Sequence, residues 1–209
     1  MSRPLLVTDC DEVLLHMVVP FRQWLDETHQ IHFDFAGGDF ARALRHKFTG
    51  DLVDREQVWP LLNGFFETEM HRQQPIAGAV EALRELAQGA DIVILTNIGE
   101  EAQASRADQL ARVGIDHRVI GNRGGKGVPL AGVIAEYQPS VTVFVDDLGT
   151  HHESSATHAP DAWRLHMVGE PELAPIIPPA PFAHARIDRW GEAKGWIQDI
   201  FARGEAAAP

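Results

Sequence analysis

The feature that most constrains this chain is a set of short apolar runs, each closed by polar residues able to do chemistry. Asp9-Cys10-Asp11-Glu12-Val13 follows the run that begins at Leu5, and Thr96 follows Ile92-Val93-Ile94-Leu95. Asp146-Asp147 follows Val141-Thr142-Val143-Phe144-Val145, and Lys126 stands in a glycine-rich loop before that run. Continuous apolar runs of this length read as strands buried on both faces, so their polar successors emerge together at the strands' carboxyl ends. That edge is where open α/β sheets bind ligands. Four carboxylates, one hydroxyl and one ammonium gathered there hold a surplus of negative charge, which an oxygen-bound cation such as Mg²⁺ relieves. The set reads as a phosphoryl-transfer site.

Strand patterns at Leu5 to Asp9, Asp91 to Thr96, His117 to Ile120, Val141 to Asp146 and Arg164 to Val168 alternate with helical ones. The helical patterns cover Gly78 to Gln88, Glu100 to Val113, Val128 to Tyr137 and Gly149 to His158. Such alternation predicts an α/β fold: a Rossmann-like, three-layer core whose parallel sheet is built through right-handed crossovers. Residues 16–75 break the pattern, because they hold amphipathic stretches at Pro20 to Gln30, Asp39 to Phe48 and Asp54 to Arg72 with no buried strand. Asp39 and Asp54 are placed as N-caps, and Pro20 suits a first helical turn. The expected organisation is a core of residues 1–15 and 76–209 with a small α-helical insertion at 16–75. Pro171 to Pro181 reads as a stiff surface strap, followed by an amphipathic stretch from Arg189 to Arg203.

The ordered set Asp9-x-Asp11-x-Val13, Thr96, Lys126 and Asp146-Asp147 resembles the haloacid dehalogenase-like (HAD) superfamily, in its phosphatase form. The resemblance implies that residues 16–75 are a cap closing over the site. It makes Asp9 a nucleophile that becomes an aspartyl phosphate, and Asp11 the group that protonates the leaving oxygen and then activates water. Residues two apart on a strand share a face, so both carboxylates can reach one phosphate. Thr96, with backbone N–H groups of Asn97 and Ile98, and Lys126 would hold the phosphoryl group. Asp9, Asp146, Asp147 and a backbone carbonyl at Asp11 would surround Mg²⁺, with Asp147 the direct ligand of the acidic pair and Asp146 direct or water-mediated. The implied activity is hydrolysis of a small phosphorylated metabolite, a phosphate monoester. A phosphotransferase or phosphomutase would use the same groups.

Other readings meet specific obstacles. A P-loop needs Gly-x4-Gly-Lys-Ser/Thr, but position 120 is Ile and Gly127 follows Lys126. A dehalogenase has no use for Asp11. A non-catalytic phosphate-sensing protein of the receiver type carries its acidic pair before the phosphoacceptor, whereas here the pair comes last. Many phosphatases of the resembled type have glycine where Glu12 stands, which leaves the loop after the nucleophile open to question. Cys10, the single cysteine, is expected to face the core as a small hydrophobe. His151-His152 is expected to face solvent, since adjacent helical residues point about 100° apart and make a poor chelate. Arg45 and His46, in the densest basic run of the insertion, are the expected substrate-selecting residues.

A formal net charge of −12 opposes broad binding to nucleic acid. A single cysteine gives no sign of an oxidising compartment. No stretch reaches the roughly 18 apolar residues of a membrane span, so the cytoplasm is the default expectation and a membrane partner is not expected.

Overall fold

The computed structural model describes residues 2–35 and 40–208. In chain order its strands are β1 (Leu5–Thr8), β2 (Ile31–Phe33), β3 (Leu44–His46), β4 (Asp91–Thr96), β5 (Arg118–Gly121), β6 (Thr142–Asp146), β7 (Trp163–His166) and β8 (Ala185–Arg186). The α-helices are α1 (Val18–Trp24), α2 (Arg55–Thr68), α3 (Ala79–Leu86), α4 (Gln103–Arg112), α5 (Gly127–Tyr137), α6 (Gly149–His158) and α7 (Trp190–Arg203).

Six strands form one parallel sheet in the order β5-β4-β1-β6-β7-β8. β1 is central: Val7 pairs with Val93 on one side and with Phe144 on the other. Strand residues alternate between faces, and the two faces bury separate cores. Leu6, Ile94 and Val143 pack with Leu83, Leu110, Trp190 and Ile197 of α3, α4 and α7. Leu5, Val7, Val93 and Phe144 pack with Leu130 and Val133 of α5 on the opposite face. This is the expected three-layer α/β core. Strand order reverses across β1, which puts a crevice at its carboxyl end.

The insertion leaves and rejoins this core at neighbouring points. His16 N donates to Gln74 O at 2.9 Å, and Ile76 N donates to Leu14 O at 2.8 Å. Between those ends lies a third apolar cluster, in which Phe21, Trp24, Phe33, Leu44 and Phe65 pack together and lean on Val168 and Leu173. α1 and α2 fall where the amphipathic patterns placed them, with Pro20 in the first turn of α1. Asp54 precedes α2 as expected, but among the described residues its side chain makes no capping hydrogen bond.

The helix expected over Asp39 to Phe48 does not form. Asp39 lies outside the described residues, Phe40–Arg42 make one 3₁₀ turn, and β3 then pairs antiparallel with β2. Ile31, Phe33 and Leu44 are buried while His32, Arg45 and His46 are exposed. Burying those three apolar residues in a two-stranded ladder outweighed the helical propensity of Ala41-Arg42-Ala43-Leu44. β8, only two residues long, was too short to leave a pattern. No helix among the described residues is long and apolar enough to cross a membrane.

Candidate active site

β1 delivers Asp9 to the crevice and then turns sharply. Cys10 O accepts the N–H groups of Leu14 and Leu15 at 2.7 and 2.9 Å. Glu12 sits in this turn with φ 59°, the left-handed region that glycine occupies at little cost. Its buried carboxylate compensates, because Oε1 accepts Met17 N at 2.9 Å and Val18 N at 2.6 Å where α1 begins. The departure at position 12 thus ties the loop after Asp9 to the first helix of the insertion. Gly169 N donates to Glu12 O at 2.6 Å, and a Cβ at Gly169 would fall 2.6 Å from Ile76 Cδ1, so this approach requires glycine.

Lys126 stands at the start of α5, fully buried, with Nζ 2.5 Å from Asp9 Oδ1 and 2.7 Å from Asp146 Oδ2. Gly127 lets α5 approach α6 this closely, since an added Cβ would lie 2.1 Å from Ser154 O. Burial alone would lower the lysine's pKa, but the facing carboxylates outweigh it and hold the ammonium above its usual range. Burial opposes ionisation of Asp146 too, yet Lys126 and His151 keep that carboxyl below the usual range. Burial raises Asp9 to about 6, against the pull of Lys126 and with the help of Asp146 and Asp11. Asp147 is raised well above the ordinary range by burial and by the charges of Asp146 and Asp9.

The two members of the acidic pair differ in what holds them. Asp146 is saturated: Oδ1 accepts Leu148 N at 2.9 Å and lies 3.0 Å from His151 Nδ1, while Oδ2 takes Lys126. Asp147 instead faces a cavity of about 350 Å³ that Asp9, Asp11, Asn97, Lys126 and His151 also line. Ligand-type oxygens of Asp9, Asp146 and Asp147 lie within 4.8 Å of one another. An all-oxygen donor set crowded enough to raise two carboxyl pKa values fits a hard divalent cation such as Mg²⁺.

Asp11 is gripped from behind. Oδ1 accepts Gln73 Nε2 at 2.7 Å, and Oδ2 accepts Arg106 Nη2 at 3.1 Å. Arg106, from α4, is fully buried, reaches Gln73 Oε1 at 3.1 Å and Cys10 Sγ at 3.3 Å, and lies 5.2 Å from the centroid of the Phe66 ring. Cys10 is buried in the core, and that burial drives its thiol pKa up. Thr96 is buried at the end of β4, and among the described residues its Oγ1 has no hydrogen-bond partner. Asn97 uses its side chain as scaffold, donating to Gly124 O at 2.9 Å and lying 3.3 Å from His151 Nε2.

Two expectations about side-chain position need correction. His151 and His152 do not face solvent; both are buried. α6 starts three residues after Asp146, so its first turn cannot leave the sheet edge, and that signal was readable in the sequence. The network assigns the Nδ1–H tautomer to His151, with Asp146 accepting and Nε2 open to Asn97. Arg45 and His46 are exposed on β3, and neither lines the cavity; Arg45 Nη1 donates to Gly50 O at 3.1 Å instead. Arg106 and Gln73 were missed altogether, because no local pattern marks a residue that reaches Asp11 from 95 or 62 positions away.

No protein-family model and no curated protein matches the sequence. Solved structures do match it. A haloacid dehalogenase-like family hydrolase from Streptococcus pneumoniae superposes with a TM-score of 0.65 at 12% identity, over 93% of this chain and 98% of the other. A putative HAD-hydrolase from Bacillus subtilis, described as bound to magnesium, gives 0.64 at 13% identity over 94% and 99%. A putative phosphoglycolate phosphatase from Lactobacillus plantarum gives 0.61 at 14% identity over 92% and 98%. The chain has the fold of the haloacid dehalogenase-like hydrolases.

Proposed function

We propose that this protein is a Mg²⁺-dependent phosphatase that hydrolyses a small phosphate monoester through an aspartyl phosphate on Asp9. The observation that carries the reading is the shared cavity: two carboxylates of the Asp-x-Asp pair open into it beside Lys126 Nζ, 2.5 Å from Asp9. An Asp9 oxygen attacks phosphorus, and the bond to the ester oxygen breaks as Asp11 supplies that oxygen with a proton. Asp11 then takes a proton from the water that hydrolyses the acyl phosphate. Lys126 neutralises charge on the phosphoryl oxygens, and the Thr96 hydroxyl and the N–H of Asn97 add donors. Asp9, Asp147 and the Asp11 carbonyl are the residues that would hold Mg²⁺, with Asp146 behind them. The cation, when bound, supplies charge neutralisation for the phosphoryl group.

Residues 16–75 act in this reading as a cap domain over a core of 1–15 and 76–209. The paired ends of the insertion give it one joint, and Val18, Phe40, Leu62 and Phe66 of its apolar cluster line the cavity, which supports that reading. The carboxylate of Glu12 and the 2.8 Å bond between His16 Nδ1 and Glu170 Oε2 cross that joint. The substrate is a small phosphorylated metabolite, and a cytoplasmic location accords with it. The test is phosphate release from a generic aryl phosphate with Mg²⁺, stopped by chelation and by Asp9→Asn. No turnover across a broad ester panel would overturn the reading.

A further inference from the structure

The cavity above Asp9 has two unlike ends. Its floor is charged, but ten of its seventeen described lining residues are apolar. Every described lining residue contributed by the insertion is apolar, among them Phe40, Trp59, Leu62 and Phe66. The facing wall adds Leu148 and Leu173. Trp59 stacks on Phe40 at 6.3 Å between centroids, yet Trp59 is 55% exposed and Leu148 47% exposed. Large apolar side chains left open to water at the mouth of a cavity mark a binding surface rather than a closed core.

Charge points the same way. Lys126 is the only cation among the described lining residues, and Asp9 and Asp146 already engage it. A substrate with a second anionic group at its far end would set that group against the apolar side chains of the insertion, where no described lining residue carries a positive charge. A sugar phosphate would leave hydroxyls unpaired against the aromatic roof, and buried polar groups without partners are costly. An apolar chain or ring meets neither penalty. The volume of about 350 Å³ lies at the lower end of the ~300–1,000 Å³ usual for small-molecule sites.

We infer that the substrate is the monophosphate of an uncharged, predominantly apolar alcohol, its hydrocarbon part held between the α2 face of the insertion and the Leu148–Leu173 wall. The inference rests on the phosphatase reading for its phosphate end only. Selection comes from apolar area, so it increases with hydrocarbon length until the chamber is full.

The test is a matched series of primary alkyl phosphates from ethyl to hexyl, compared with glycerol phosphate and glucose 6-phosphate, all with Mg²⁺ and the full chain. Leaving groups of similar basicity keep the chemistry constant. Full burial would contribute about fourfold per methylene, so kcat/KM should rise at least tenfold from ethyl to hexyl and should exceed that for both polyols. Trp59→Lys should cut the hexyl-to-ethyl ratio at least fivefold. A flat series, or preference for the polyol phosphates while turnover persists, overturns the apolar chamber and leaves the phosphatase reading intact. Ethyl- and hexylphosphonate, which resist hydrolysis, give a second readout by calorimetry. If no ester turns over but hexylphosphonate binds at least tenfold more tightly, the phosphatase reading fails and the chamber stands; equal binding overturns the chamber as well.

Discussion

Arg106 Nη2 lies 3.1 Å from Asp11 Oδ2, so a fully buried guanidinium on α4 fixes the second carboxylate of the Asp-x-Asp pair. The same side chain holds Gln73 and lies against Phe66, so it joins the core to the end of the insertion. Removing one partner of a buried pair leaves the other uncompensated, at a cost of about 3–5 kcal/mol when burial is complete. Asp11 retains some exposure, so Arg106→Met should lose about 2–3 kcal/mol in urea unfolding. Because Arg106 aims Asp11, the variant should also lose more kcat on alkyl than on aryl phosphates. Equal loss on both would confine Arg106 to packing.

The carboxylates two residues apart should separate by leaving group. Asp9→Asn should remove the covalent intermediate and lower kcat by roughly three orders of magnitude or more on every ester. Asp11→Asn should spare good leaving groups, which need no proton, and slow poor ones by roughly 10²–10⁴. Rapid-quench trapping of labelled aspartyl phosphate is the check. A label on the Asp9→Asn protein would move the nucleophile elsewhere.

The members of the acidic pair should fail in different ways. Asp147 opens to the cavity, whereas Asp146 is saturated by Lys126, His151 and Leu148 N. Asp147→Asn should raise the Mg²⁺ concentration for half-maximal activity by about 10–100-fold, with kcat recovering at high Mg²⁺. Asp146→Asn should detach Lys126 and His151, so that its kcat stays low at saturating Mg²⁺ and its Tm falls. Identical Mg²⁺ curves for the two variants would show that both bind the cation directly.

What was legible in the sequence follows the range over which each signal acts. β1, β4 and β6 were readable because double-sided burial forces continuous apolar runs, and the polar residue that ends each run is where the sheet edge lies. The β2–β3 ladder was not, because three-residue strands are specified by the partner they meet rather than by their own pattern. Asp9, Asp11, Asn97, Lys126 and Asp147 converge on one cavity because strand ends converge in any parallel sheet. Arg106 and Gln73 were invisible, being placed by how α4 and the end of the insertion pack. Arg45 and His46 suggested anion recognition by composition, but both are exposed on β3 and neither is among the described residues that line the cavity.

His152 should report through acid stability. Its ring is fully buried against Phe144 and His166, and Nε2 lies 3.0 Å from Asp146 O, which it meets as a neutral N–H donor. Burial lowers its pKa to about 4, while the unfolded chain protonates near 6.5. The stability is therefore complete above pH 6.5 and is lost as pH falls toward 4, by on the order of 2–3 kcal/mol. His152→Phe is less stable at neutral pH because it removes one of the two hydrogen bonds that Asp146 O accepts, Met167 N keeping the other at 3.0 Å, but it lacks this titration. The gap between wild type and variant should narrow on acidification from pH 7 to pH 4.5, and a constant gap would refute the buried neutral imidazole.

Glu12 carries two opposing effects whose balance can be measured. Its positive φ costs a non-glycine residue about 1–2 kcal/mol, which Glu12→Gly would recover. The same change strips the acceptor from Met17 N and Val18 N, and each buried donor left unpaired costs about 1–3 kcal/mol. The lost bonds outweigh the relieved strain, so Glu12→Gly should be less stable by about 1–3 kcal/mol. Glu12→Gln keeps the acceptor and removes the charge, which isolates the titration. Burial raises the Glu12 carboxyl to about 7, opposed by its two backbone donors and reinforced by Glu170, whereas the unfolded side chain ionises near 4.5. A raised folded pKa means that the folded state holds a proton the unfolded chain releases, so this stability is complete below pH 4.5 and is lost as pH rises through 7. Relative to wild type, Glu12→Gln should gain stability steadily between pH 4.5 and 8 in parallel denaturant titrations. A difference that stays flat, or falls, over that range would mean that the carboxylate is ionised in the fold and that α1 is capped by a full charge.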